Sequence, residues 1–155
     1  MLQHNAMEIK KLNKNEILDF RNLIEIFKDV FENKEQIPDN EHLYNLLSNT
    51  DFMVFVVKLN EKVVGGLTIY VLNRYYSIKP IAYVYDVGIS PKYQGKGLGK
   101  ALITKVLNFC KENNFEDAYV EAESDDIDAV SFYRKTKFSN EMNATHFTYS
   151  FIDEN

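Results

Sequence analysis

The sequence predicts an α/β (α+β) fold, in which a mixed β-sheet carries helices on both faces. Alternating or wholly apolar runs typical of strands are interleaved with runs of helical period. Two such strands flank Asn60-Glu61, which predicts a tight turn and an antiparallel hairpin. Later a strand, a helix and another strand follow in succession, as in a βαβ unit. Gly65 and Gly66 in the returning hairpin strand predict a bulge or a closely approaching neighbour.

The predicted elements follow the order βααβββαβαβ. Side-chain oxygens before three of the helices are expected to cap them, from Asn13 or Asn15, from Asn40, and from Asp125 or Asp126. A polar, tyrosine-rich loop is predicted over 73–79. We expect strands at 7–12, 52–59, 62–72, 81–89, 118–123 and 145–151, and helices at about 13–33, 40–47, 98–113 and 129–135.

Composition limits the classes of protein to consider. The 155 residues suit one domain, expected over 7–155, with residues 1–6 as a loose leader. A net charge of −5 argues against nucleic-acid binding, which normally uses a basic face. The one cysteine, Cys110, excludes an internal disulfide, and the scattered histidines predict no metal site. No apolar run reaches membrane-span length and no signal-peptide core is present near the start, so a cytoplasmic protein is expected.

The segment from Asp86 to Lys100 is the most informative in the chain. A strand runs into the alternating glycines Gly95, Gly97 and Gly99, and an amphipathic helix follows at once. Bare backbone N–H groups and the positive end of a helix dipole then converge, which favours a phosphate. The spacing fits neither a nucleotide P-loop nor a dinucleotide-binding fingerprint.

The pattern that fits is Q/R-x-x-G-x-G/A, read as Gln94-Gly95-Lys96-Gly97-Leu98-Gly99. It resembles the pyrophosphate loop of the GNAT superfamily of N-acetyltransferases. Four further segments look like the small type-I aminoglycoside 3-N-acetyltransferases: 37–47, 83–90, 119–126 and 129–133. The resemblance implies a six- to seven-stranded, mostly antiparallel sheet with a central splayed parallel pair and about four helices. It also implies an enzyme that transfers an acetyl group from acetyl-CoA to a primary amine of a cationic small molecule, by direct attack in a ternary complex.

The resemblance assigns a cofactor site around the glycine loop. The pantetheine arm is expected to pair with the strand before the loop, where an N–H near Val87 donates to the thioester oxygen. Gly88 fits a kinked strand there, although a simple strand end is an alternative explanation. The expected cofactor-binding residues are Val87, Gly88, Ile89, Gln94, Gly95, Lys96, Gly97, Leu98, Gly99 and Lys100.

Two catalytic residues are expected. Tyr133 matches the family position that protonates the departing sulfur, with half-buried packing as the alternative. Asp86, in an apolar strand, is expected to bind the amine and accept its proton, although a structural ion pair would also explain it. Glu121 and Glu123 are predicted to share one face of a strand and, with Asp126, to bind amines. Glu123 is the other candidate base, and solvated surface charge is the alternative for this acidic cluster.

Other functions remain compatible with the same motifs. A polyamine or protein N-acetyltransferase would share the cofactor site, and a catalytically silent acetyl-CoA-binding module would lack turnover. Lys137 stands where many relatives carry glycine, and this difference concerns the identity of the acceptor and not the cofactor site. The predicted C-terminal strand and aromatic-rich loops could pair with a second copy, so a homodimer is also expected.

Overall fold

The computed structural model describes residues 6–152, in two compact units, one ending at Glu121 and the other beginning at Ala122. The expectation of a single domain over 7–155 stays a prediction, and the expected leader lies, except for Ala6, outside the described residues. The first unit contains β1 (Met7–Lys11), α1 (Ile17–Val30), α2 (Asn40–Ser48), β2 (Phe52–Leu59), β3 (Lys62–Arg74), β4 (Ser77–Ile89), a 3-10 turn (Pro91–Tyr93), α3 (Leu98–Glu112) and β5 (Asp117–Val120). The second unit contains α4 (Ile127–Arg134).

The sheet of the first unit has the order β1-β2-β3-β4-β5. The first three pairs are antiparallel, and β4 and β5 are parallel. Successive residues of β2 point to opposite faces: Phe52 packs against Phe20 of α1, and Phe55 packs edge-on against Phe109 of α3. The predicted mixed, mostly antiparallel sheet with helices on both faces is therefore confirmed in this unit.

The expected number of strands is wrong, because the described residues contain five strands rather than six or seven. Residues 145–151 form no strand, and the alternating side chains of Phe147, Tyr149 and Phe151 are exposed. Alternation shows only that a segment fits a pleated surface; a strand also needs a neighbour that pairs with its backbone groups.

Two strand boundaries also differ from the prediction. The expected loop over 73–79 shrinks to Tyr75-Tyr76, because β3 and β4 stay paired as far as Arg74 and Ser77. At the other end, β5 stops at Val120 instead of residue 123. The argument that Glu121 and Glu123 alternate along one strand is therefore wrong.

The first two helices are capped differently from the prediction. The residue before α1 is Glu16, and the side chain of Asn13 instead accepts a hydrogen bond from the backbone N–H of Asn15 at 2.9 Å. The cap of α2 is Asp39 rather than Asn40, and its carboxylate accepts from the N–H of His42 at 2.9 Å. Both helices thus begin within one or two residues of a correctly recognised polar cluster.

The glycine pair of β3 has the predicted cause. The β2–β3 register shifts after Val57, and a side chain at Gly66 would overlap the carbonyl oxygen of Phe55 and the side chain of Leu23. Glycine therefore lets α1 pack directly on the sheet at this point. Among residues 6–152, no helix is long and apolar enough to cross a bilayer.

Candidate active site at the end of strand β4

Hydrogen bonds to strands β3 and β4 hold the loop between β4 and α3. The N–H of Ser90 donates to the carbonyl of Val64 at 2.8 Å, and the side-chain amide of Gln94 donates to the carbonyl of Ile89 at 2.9 Å. Gly95 and Gly97 have φ of 74° and 81°, a left-handed conformation that glycine adopts without strain. Gln94 therefore secures the loop to the end of β4, and the two glycines turn the chain into α3.

The N-terminus of α3 presents unpaired donors. The N–H of Ala101 donates to the carbonyl of Gly97 at 3.0 Å, so the N–H groups of Leu98, Gly99 and Lys100 precede the first hydrogen bond of the helix. The first turn contains no acidic residue. The helix dipole and these donors make the position suitable for an anion.

The open side of the loop leaves room for such an anion. A side chain built on Gly95 or Gly97 would meet no atom within 4 Å. Lys96 is exposed, with its ammonium 5.5 Å from the centre of the Tyr93 ring. The residues present therefore fit a diphosphate: free backbone donors, a helix N-terminus, a nearby cation and no obstructing side chain.

Strand β4 is irregular just before this loop. Its register with β3 shifts between the pairs Val84–Ile69 and Val87–Leu67, so Thr68 lies opposite two residues, Tyr85 and Asp86. This bulge turns the strand locally and re-aims its side chains.

The same part of β4 separates from β5. Pairing between the two parallel strands ends at Val84 and Val120, while β4 continues to Ile89. Among residues 6–152, β4 has no strand partner on its β5 side beyond this point. Val87, Gly88 and Ile89 pair with β3 on their other side, so this end of β4 offers an unpaired strand edge, while the expected splaying of the parallel pair stays a prediction because β5 ends at Val120.

Gly88 has a packing role within this segment. It is buried, and a side chain there would come within 3.1 Å of the Phe27 ring of α1. The residue pairs with Gly66 of β3, one position before the end of β4. Its small size allows α1 to lie close against this end of β4.

A cavity of about 220 Å³ lies beside the bulge. Its walls come from α1, α2, β2, β3 and β4 and include the rings of Phe27, Phe31, Tyr70 and Tyr85, with Asp86 among them. Asp86 is among the site residues predicted from the sequence, whereas these aromatic residues are not. Only the alternation of Tyr83 and Tyr85 signalled them in the sequence, since the other rings come from distant segments.

Asp86 is half-buried in this aromatic wall. Its backbone N–H donates to the hydroxyl oxygen of Thr68 at 3.3 Å, and burial raises the pKa of its carboxyl group above the ordinary value. In the described part of the chain it forms no ion pair. The structure therefore does not support the alternative explanation, in which Asp86 forms a structural salt bridge.

Glu121 belongs to the first unit and follows the last residue of β5. Although exposed, it has a defined partner: the Tyr83 hydroxyl donates to its Oε2 at 3.1 Å. The other two acidic candidates, Glu123 and Asp126, lie in the second unit and are exposed. Within residues 6–152, no three His, Cys, Asp or Glu side chains are grouped to hold a metal ion.

Tyr133 lies in the second unit on α4. It is half-buried, and burial, with a smaller contribution from the charge of Asp126, raises the pKa of its hydroxyl to about 12. Asp126 is the N-cap of this helix, since its carboxylate accepts from the N–H of Ala129 at 3.1 Å. The predicted cap at Asp126 is confirmed, and Tyr133 keeps its proton at neutral pH.

Residues 20–138 match the model of the Acetyltransferase (GNAT) family. This chain belongs to the GNAT family. GNAT acetyltransferases use acetyl-CoA as the acetyl donor, which agrees with the fit of the loop to a diphosphate.

Proteins similar to this chain are named as acetyltransferases of different kinds. The solved aminoglycoside acetyltransferase meta-AAC0020 from an uncultured soil metagenomic sample, in complex with sisomicin, is 44% identical with a TM-score of 0.91, over 94% of this chain and 96% of that one. Mycothiol acetyltransferase of Saccharomonospora viridis is 38% identical over 39% of this chain, and the N-alpha-acetyltransferase RimI of Mycobacterium tuberculosis is 31% identical over 43%. The matches span only a fifth and two fifths of those two relatives.

Proposed function

We propose that this chain transfers the acetyl group of acetyl-CoA to a primary amine of a cationic small molecule, most specifically the 3-amino group of an aminoglycoside. The observation that carries the proposal is the position of Asp86. A bulge places this carboxylate in an aromatic cavity, next to the unpaired edge of β4 that leads into the anion-binding loop. The 44% identity to an aminoglycoside acetyltransferase, over nearly the whole of both chains, supports this class of acceptor.

The donor side uses backbone groups. Gly95 to Lys100 would hold the diphosphate through N–H groups and the lysine charges, and the free edge of Val87 to Ile89 would pair with the pantetheine arm. Acetyl-CoA supplies an acetyl group activated as a thioester, whose sulfur leaves as a thiol. The N–H of Val87 would donate to the thioester oxygen; one donor of this kind is worth about 3 kcal/mol of the activation barrier.

The acceptor side uses Asp86 and the surrounding rings. An alkylammonium has a pKa of about 10 and arrives protonated. Aromatic faces attract the cation, and the Asp86 carboxylate binds it and accepts its proton, so that the nitrogen becomes a nucleophile. The burial that raises the pKa of Asp86 makes it a better proton acceptor than an exposed aspartate. Glu123, with Asp126 nearby in sequence, is the other candidate for this role.

Tyr133 would provide the proton that the departing sulfur needs. Its phenolic oxygen holds that proton at every pH at which such an enzyme works, because its pKa is about 12. As the tetrahedral intermediate collapses to the amide, the nitrogen would lose its second proton to solvent, and solvent would return a proton to the tyrosine. Asp86 removes a proton from nitrogen and Tyr133 delivers one to sulfur, so the two residues serve opposite ends of the reaction.

A thiol-release assay with a panel of amines tests the proposal. The purified chain with acetyl-CoA should release thiol with sisomicin, and NMR of the product should show the new amide at the 3-amino group. Turnover only with spermidine would indicate a polyamine acetyltransferase instead, and turnover only with a peptide bearing a free N-terminus would indicate a protein N-acetyltransferase. Calorimetric binding of acetyl-CoA without turnover of any amine would indicate a silent binding module instead. A cytoplasmic location, a role in antibiotic resistance and a homodimer belong to the same proposal.

A further inference from the structure

Four tyrosines form a continuous row on one face of the sheet, beginning at the cavity that contains Asp86. We call Tyr70, Tyr85, Tyr83 and Tyr119 the tyrosine row. Tyr70 and Tyr85 meet edge to face with centroids 5.4 Å apart, Tyr85 and Tyr83 do so at 5.7 Å, and Tyr83 and Tyr119 stack at 4.6 Å. The row therefore crosses β3, β4 and β5.

The strand register keeps these rings together. Tyr83 lies directly opposite Tyr70 on β3 and directly beside Tyr119 on β5. Cross-strand neighbours share a face, so the rings of these three residues form one surface about two strand spacings wide. Tyr85 follows two residues along β4 and connects this surface to the cavity.

The row is accessible to solvent and ends in a fixed charge. Tyr70, Tyr85 and Tyr119 are 40%, 54% and 37% exposed, which is unusual for adjacent aromatic residues in a sheet unless they bind something. At the far end, the Tyr83 hydroxyl donates to the carboxylate of Glu121 at 3.1 Å and so orients it. One aromatic surface thus connects two carboxylates, those of Asp86 and Glu121.

We propose that the tyrosine row and Glu121 bind a second ammonium group of the acceptor, one that is not acetylated. The inference rests on the proposed function, and it adds that the preferred acceptor carries at least two positive charges. Charge complementarity supports this occupant, because π-faces and carboxylates both attract ammonium groups. Lys28 lines the cavity at the Asp86 end, so the end at Glu121 is the more favourable place for the second ammonium. An amine with one positive charge would engage Asp86 alone.

Three variants test the second subsite. Glu121→Gln removes its charge, Tyr83→Phe removes the hydroxyl that orients Glu121, and Tyr119→Leu removes an exposed π-face outside the Asp86 cavity. Each should raise the KM for sisomicin about tenfold and leave kcat and the KM for acetyl-CoA within about twofold. The KM for glucosamine, which carries one amine, should not change. Glu112→Gln, at the end of α3, is the matched control and should leave all these values unchanged.

Direct binding separates this inference from the proposed function. Calorimetry of sisomicin with the wild-type protein and with the Glu121→Gln variant, without acetyl-CoA, needs no turnover. Binding weakened about tenfold by the variant supports the second subsite even if no thiol is released, in which case only the proposed function fails. Normal turnover of sisomicin, with equal affinity and KM in wild type and all three folded variants, overturns the second subsite. If sisomicin is neither bound nor acetylated, both are wrong.

Discussion

The sharpest test of the anion-binding loop compares alanine at two neighbouring glycines. Gly97 caps α3 with φ of 81°, a conformation that costs an L-residue about 1–2 kcal/mol. An added methyl group there would meet no atom within 4 Å, so the whole cost is backbone strain and not collision. For a chain of this size, Gly97→Ala should lower the Tm by about 2–8 °C.

Alanine at Gly99 should change the Tm in the opposite direction. It lies in the first turn of α3 and is not among the glycines with positive φ. Alanine loses less backbone entropy in a helix, so Gly99→Ala should stabilise the fold by about 0.4–1 kcal/mol and raise the Tm. Thermal melts of the two variants, recorded in one buffer, should therefore move in opposite directions.

Binding of acetyl-CoA gives the functional half of this test. If the loop relieves its strain in Gly97→Ala by rotating a peptide group, at least one N–H no longer points at the anion. A hydrogen bond to a charged group is worth about 1.5–3 kcal/mol, so the Kd should rise about 10- to 100-fold. Calorimetry with acetyl-CoA measures this directly. A Gly97→Ala variant with unchanged Tm and Kd would refute both the strain and the anion-binding role of the loop.

Three further predictions concern titratable groups. Tyr133→Phe should lower kcat about 100-fold or more and leave the KM for acetyl-CoA unchanged. Because the pKa of Tyr133 is about 12, the wild-type pH–kcat profile should show no alkaline limb from this residue below about pH 10. An alkaline limb in that range that the variant abolishes would contradict the assignment. Asp86→Asn should remove the acidic limb of the pH–kcat/KM profile. Because burial raises the pKa of Asp86 in the folded state, its ionisation opposes folding as the pH rises through that value. The variant should therefore have a higher Tm than the wild type at pH 7, but not below pH 3. Asp126→Ala should cost about 1 kcal/mol in chemical denaturation by removing the cap of α4, whereas Asp126→Asn should keep the stability; equal losses would show that charge rather than capping matters.

Local chemistry explains which elements the sequence predicted well. The run Phe52–Leu59, apolar except for Lys58, is a strand with the expected bounds, and Asn60-Glu61 has the positive φ values of a tight hairpin turn. The glycine loop lies where the sequence predicts it, between β4 and α3, and Gly95 and Gly97 there adopt a left-handed conformation that suits glycine. Each of these features depends on residues adjacent in sequence.

Features that depend on distant partners were missed or misjudged. The resemblance implies a bulged or kinked strand near Gly88, but the bulge lies at Tyr85 and Asp86, opposite Thr68 on the neighbouring strand, and no local pattern in β4 gives that position. Conversely, residues 145–151 have a strand-like pattern but no strand in the structure. β-structure is decided by pairing and burial, so pattern alone both under-predicts and over-predicts it.

The same distinction explains why the family of this chain is easier to recognise than its acceptor. The proposed donor side lies within 87–100 and needs only backbone donors and two left-handed glycines, so a short motif can specify it. The proposed acceptor side combines Phe27 of α1, Tyr70 of β3 and Asp86 at the β4 bulge, all of which lie outside the loop. Acceptor preference can therefore diverge among relatives that keep one donor site, as the different compounds in their names indicate. It follows that substitutions in the tyrosine row should alter the KM for the amine while the Kd for acetyl-CoA stays constant, and a variant that shifts both equally would show that the two sides are not separable.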